Sequence, residues 1–92
     1  MDFVYTVWFT DTSAKPDDQD YEWPACIVIN AENIEDATAW GDHLSTQYSA
    51  RYPDEKFLRS YSEPPEKYAI GGISSLPRIR YGHEATDDEI GW

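Results

Sequence analysis

The sequence predicts a small α+β domain, ββαβ(β) in element order. Its sheet is antiparallel or mixed, of three to five strands, with one helix packed on one face. Three observations lead there. The N-terminal residues alternate in β-favouring side chains, residues 33–52 carry a helical apolar stripe, and 92 residues suffice for one modest core. The sequence is rich in aromatics (four Trp, seven Tyr, three Phe), which disordered acidic chains lack.

The first strand is Phe3 to Thr10. Phe3, Tyr5, Val7 and Phe9 alternate with Val4, Thr6 and Trp8, so both faces are apolar enough for a central position. Asp11 to Glu22 is a polar loop containing Pro16. The second strand is Trp23 to Asn30, and Pro24 near its start predicts that this end is unpaired or at an edge.

The helix follows. Asn33 suits the N-cap, and Glu35 and Asp36 complement the dipole in the first turn. At 100° per residue, Ile34, Ala37, Trp40, Gly41, Leu44, Tyr48 and Tyr52 share one arc of about 120°. Glu35, Asp36, Asp42, Thr46 and Ser49 take the solvated side. Gly41 costs about 1 kcal/mol of helix propensity relative to Ala. Its place inside the apolar arc predicts close approach of the helix to the sheet. Pro53 ends the helix.

Lys56 to Ser62 is the third strand, broken by Glu63-Pro64-Pro65-Glu66. Tyr68 to Ile73, interrupted by Gly71-Gly72, is a short strand or an irregular return. Arg78 to Tyr81 is an edge strand with its arginines on one face. The helix links the second and third strands; were these parallel neighbours, the crossover would be right-handed. Residues 1–83 form the single acidic domain, and 84–92 are expected to be a mobile acidic tail.

Charge is the strongest functional signal. The chain carries a formal −11, of which −9 falls in residues 1–50, where Lys15 is the only basic side chain. Residues 51–83 carry +2 and residues 84–92 carry −4. Direct nucleic-acid binding is disfavoured because it relies on Lys and Arg releasing counterions, and anionic membranes are disfavoured likewise. The lone Cys26 admits no internal disulfide, no secretory leader is visible and no apolar run is long enough to span a membrane. A cytoplasmic location is expected.

No reaction is named by any motif. Asp18, Asp20 and Glu22 alternate like a calcium loop, but the sixth and twelfth positions from Asp18 are Trp23 and Ile29 rather than Gly and Glu. One thiol and two separated histidines give no zinc spacing, so neither a metal nor a cofactor is expected. Cys26, mid-strand among apolar residues, reads as a buried inert thiol. Gly71-Gly72 lacks the Lys and Ser/Thr of a phosphate loop. Ser45, His43 and an acid lack the elbow of a nucleophilic triad. An enzyme would have to use His43 or His83 with nearby carboxylates.

The reading favoured is a non-enzymatic acidic binding protein that docks on a basic protein surface. In its sharpest form it mimics nucleic acid, in the manner of phage inhibitors of restriction or CRISPR defence, a likeness of composition only. The partner is then a basic, nucleic-acid-binding protein. The candidate contact residues are Asp11, Asp17, Asp18, Asp20, Glu22, Glu32, Glu35, Asp36 and Asp42, and mimicry requires them to form one contiguous stripe. A general interaction module or a homodimer subunit is the plainer alternative.

Overall fold

The computed structural model describes residues 1–18, 21–67 and 75–92 of the chain. Four strands form one mixed sheet: β1 (Asp2–Asp11), β2 (Glu22–Asn30), β3 (Glu55–Glu63) and β4 (Arg78–Arg80), in the order β3-β1-β2-β4. Helix α1 (Ile34–Arg51) lies across one face, and a short helix α2 (Asp87–Ile90) closes the chain. This is the α+β domain with a single main helix that the sequence predicts. The expected piece at Tyr68–Ile73, with Gly71-Gly72, lies outside the described residues.

β1 is central, as its two-faced apolarity requires. It pairs antiparallel with β2 on one side (Tyr5 opposite Ile27) and with β3 on the other (Tyr5 opposite Ser62). β2 and β3 are therefore parallel to each other but are separated by β1 rather than adjacent. β4 runs parallel to β2 and reaches only Val28–Asn30, so no described strand covers the outer edge of β2 at Pro24. β4 is shorter than the expected Arg78–Tyr81, and its Ile79 is buried between two exposed arginines.

The core lies between the sheet and α1. Phe3, Tyr5, Val7 and Phe9 share it with Ile27, Ile29, Ala37, Leu44 and Tyr48. Asn33 caps α1 by accepting from the Asp36 N–H at 2.8 Å, as expected. Gly41 confirms the close approach, because a Cβ there would lie 2.3 Å from Cδ2 and Cε2 of the Tyr5 ring. Tyr52 differs from the expected stripe: it is the C-cap and stays 44% exposed, because the helix stops at Arg51.

Residues 84–92 differ most from expectation. They fold onto the domain instead of trailing from it. Thr86 and Glu89 make a reciprocal capping box, and Gly91 ends the turn at φ 73°. Ile90 is 1% exposed, and the Trp92 ring sits 5.6 Å from Phe9 and 5.7 Å from Tyr48, centroid to centroid. Two apolar anchors thus hold down a stretch whose charge suggested a solvated tail. Among the described residues no helix is long and apolar enough to cross a membrane.

Candidate functional site

The candidate acids fall into three groups. Asp11, Asp17, Asp18 and Glu22 lie on or beside the loop joining β1 to β2, at the end of the sheet where Thr12 N–H bonds the Asp54 carbonyl beyond the C-terminus of α1. Glu32, Glu35 and Asp36 lie at the opposite end, where α1 begins. With a rise of about 1.5 Å per residue, the length of α1 separates these groups by more than about 20 Å. Asp42 belongs to neither, and Asp20 lies outside the described residues. The acids therefore do not form the single stripe that mimicry requires.

Asp42 also departs from its expected place on the solvated face. It is half-buried and accepts from the Tyr5 hydroxyl at 2.8 Å and from the Ser60 hydroxyl at 2.5 Å. The Tyr5 hydroxyl also meets Ser45 Oγ at 2.9 Å, and Ser45 is fully buried. Burial pushes the Tyr5 phenol far above its ordinary range, so it remains a neutral donor. The sequence gives no local sign of this cluster, since its hydrogen-bonded pairs are 18 to 40 residues apart.

Other carboxylates have internal partners. Asp11 accepts from the Ser13 hydroxyl at 2.5 Å and the Ser13 N–H at 2.9 Å, which together hold it below its usual range. Glu22 faces Arg59 at 3.8 Å, and Glu55 accepts from the Trp23 indole at 2.7 Å. Asp2 is lowered by its bonds from Asn30 and Arg78. Asp17 and Asp18 are both exposed to solvent.

Glu32, Glu35 and Asp36 behave differently. No ion pair among the described residues engages them. Glu32 and Asp36 rim an open groove of about 440 Å³, shared with Met1, Asn30, Arg80 and Tyr81. Tyr81 is 54% exposed there. This end combines free negative charge with an accessible aromatic ring.

Both histidines sit on open surface. His43 stacks on Trp40 at 4.6 Å and pairs with Glu84, while His83 meets Glu89 at 2.7 Å. All four side chains are more than 40% exposed, so neither pair is shielded from water. Cys26 is half-buried rather than fully enclosed, and its Sγ lies 3.3 Å from Thr6 Oγ1 on the neighbouring strand. Among the described residues no three His, Cys, Asp or Glu side chains converge as metal ligands.

A third feature was not singled out by the sequence: the outer edge of β3 pairs with no described strand. Phe57, Leu58 and Tyr61 stand 39%, 42% and 48% exposed along it. Only strand order could have shown this, and strand order is set by contacts distant in sequence. No family model matches the chain, and neither a curated protein nor a solved structure matches it.

Proposed function

We propose that this chain is a non-enzymatic binding domain that docks its acidic helix-start end on a basic protein surface. The observation that carries this reading is the set Glu32, Glu35 and Asp36, free of ion pairs beside the exposed Tyr81. Carboxylates outside any ion pair keep a field that reaches beyond the molecule, offset in part by Arg80 in the same groove, and a net −11 chain attracts basic partners before contact. Exposed tyrosines are favoured interface anchors. The nucleic-acid-mimic version asks for a long track of charge. The distance between the two acidic ends and the inward turn of Asp42 favour the broader reading, a basic protein of any class.

The enzyme alternative has less behind it. Each histidine has a carboxylate partner, but on open surface, where a substrate would find no water-excluded pocket.

The test is capture from lysate at low and high salt, using the wild-type chain and the triple variant E32K/E35K/D36K. The expected result is a basic partner held at low salt by the wild-type chain and lost by the variant. The variant's melting temperature should stay within a few degrees, since reversed charges in a first helical turn cost about 1 kcal/mol. The same partner held equally by the variant would overturn the proposal.

A further inference from the structure

Independently of the acidic end, we infer that the open edge of β3 pairs antiparallel with β3 of a second copy of this chain, across a two-fold axis at Tyr61. The residues there read Arg59-Ser60-Tyr61-Ser62-Glu63, and this run is complementary to its own reverse. With Tyr61 opposite Tyr61 of the second copy, Arg59 of each chain faces Glu63 of the other, twice over. Ser60 faces Ser62 in the same way. Directly opposed side chains on paired strands lie about 5 Å apart, where opposite charges attract and aromatic pairs stack.

The face of the sheet agrees with this register. Arg59, Tyr61 and Glu63 pair with Trp8, Thr6 and Val4 of β1, so all three project from the face opposite α1. Ser60 and Ser62 project toward α1, where they bond Asp42 and Thr38. The ladder is regular from Arg59 to Glu63, and the irregularity comes beyond it, between Trp8 and Phe9 of β1, leaving Leu58 without an opposite residue. The pairing thus stops where the strand deforms, with Leu58 exposed beside it.

Both copies would keep their helices on one face of a continuous eight-stranded sheet. The shallow groove along this edge, lined by Ile34, Glu35, Thr38, Ala39, Asp42 and Ser62, would then face the second copy's helix, with Asp42 already held by the Tyr5 and Ser60 hydroxyls. Two chains of −11 repel, but the Debye length is about 8 Å at physiological ionic strength. Carboxylates at the far ends of the domain are screened from each other, whereas the Arg59–Glu63 pairs act at contact.

The experiment is sedimentation of the full chain at physiological salt, from micromolar to about millimolar protein, with melting curves as the folding control. A dimer is expected for the wild type. E63R, which leaves Arg59 and its stacking on Trp8 intact, should weaken it about tenfold or more, and R59E should do the same. The double variant R59E/E63R recreates both cross-chain pairs with reversed sign and should restore the dimer. A wild type that stays monomeric throughout overturns the inference. So does a dimer indifferent to E63R, or one that the double variant fails to restore. The double variant E32K/D36K, whose residues line the other groove and not the one facing the second copy, should dimerise normally, which separates failure of one proposal from failure of the other.

Discussion

Helix α1 is gripped from two sides in two different ways. Toward the sheet its Gly41 presses on the buried Tyr5 ring, and Ser45, half-buried Asp42 and half-buried Ser60 of β3 surround the phenol. Toward the C-terminal segment it meets exposed polar pairs: His43 and Gln47 with Glu84, and Arg51 with Asp87, which also accepts from Tyr52 at 2.7 Å. The first grip is geometric and leaves no room for change. The second spreads over side chains that water can reach, and exposed ion pairs contribute about 0–1 kcal/mol each. Without Ile90 and Trp92 beneath them, those pairs would not hold a nine-residue segment down.

The largest expected effect comes from filling the space at Gly41. The Tyr5 ring is fully buried and its hydroxyl is fixed at both Asp42 and Ser45, so it cannot swing aside. Gly41→Leu should cost about 3 kcal/mol or more in a urea or thermal melt. Gly41→Ala sharpens the point. Helix propensity alone would make alanine about 1 kcal/mol better, yet the 2.3 Å approach to Tyr5 should leave it less stable than wild type. A stabilised alanine variant would mean that helix and sheet are not pressed together there.

A smaller loss is expected on the other side. Ile90→Ala removes the most buried side chain of the C-terminal segment. The cost should be about 2 kcal/mol, or about 10 °C in melting temperature. Hydrogen exchange should show protection lost over residues 84–92 while the Tyr5 side of α1 keeps its own. Equal loss on both sides would make the two grips one cooperative unit.

The contrast also marks how far the sequence could be read. Gly41 was legible because a helix-weakening residue inside an apolar arc calls for compensation, and close approach to the sheet is the simplest. β1 was legible as central because both its faces are apolar. The inward turn of Asp42 was not, because its partners come from β1 and β3 and no spacing within the helix announces them. The C-terminal segment was misread on charge alone, although Thr86 with Glu89 three residues later, followed by Ile90 and Gly91, is the local pattern of a capped turn. Strand order decides which edge stays open, and it is a property of the whole fold. The candidate acids were legible as a composition, but their separation into two ends followed from the direction in which α1 runs.

The smallest expected effect distinguishes the two grips by pH. Glu84 is lowered by its bonds from Gln47 and then His43, Asp87 by Tyr52 and then Arg51, and Glu89 by the Thr86 backbone and then His83. A carboxylate lowered in the folded state stabilises above its ordinary value and stops doing so as pH falls through the folded one. The C-terminal grip should therefore loosen as pH drops below the ordinary values of 4.5 for Glu and 3.8 for Asp. Tyr5 has the opposite sign. Burial raises its phenol, so its share of stability is present below the ordinary value of 10.0 and fades as pH climbs beyond it. Melting curves across this range should show an acid-side decline that E84Q/D87N/E89Q reduces, Asp2 and Asp11 keeping their shares, and an alkaline decline from which it removes the share of Tyr52, raised by its bond to Asp87, but not that of Tyr5. Tyr5→Phe should do the reverse, reducing the alkaline decline, in which Tyr48 and Tyr52 keep their shares, at the cost of the hydroxyl's bonds. If the triple variant leaves the acid limb unchanged, the exposed pairs contribute nothing, and Ile90 and Trp92 hold the segment by themselves.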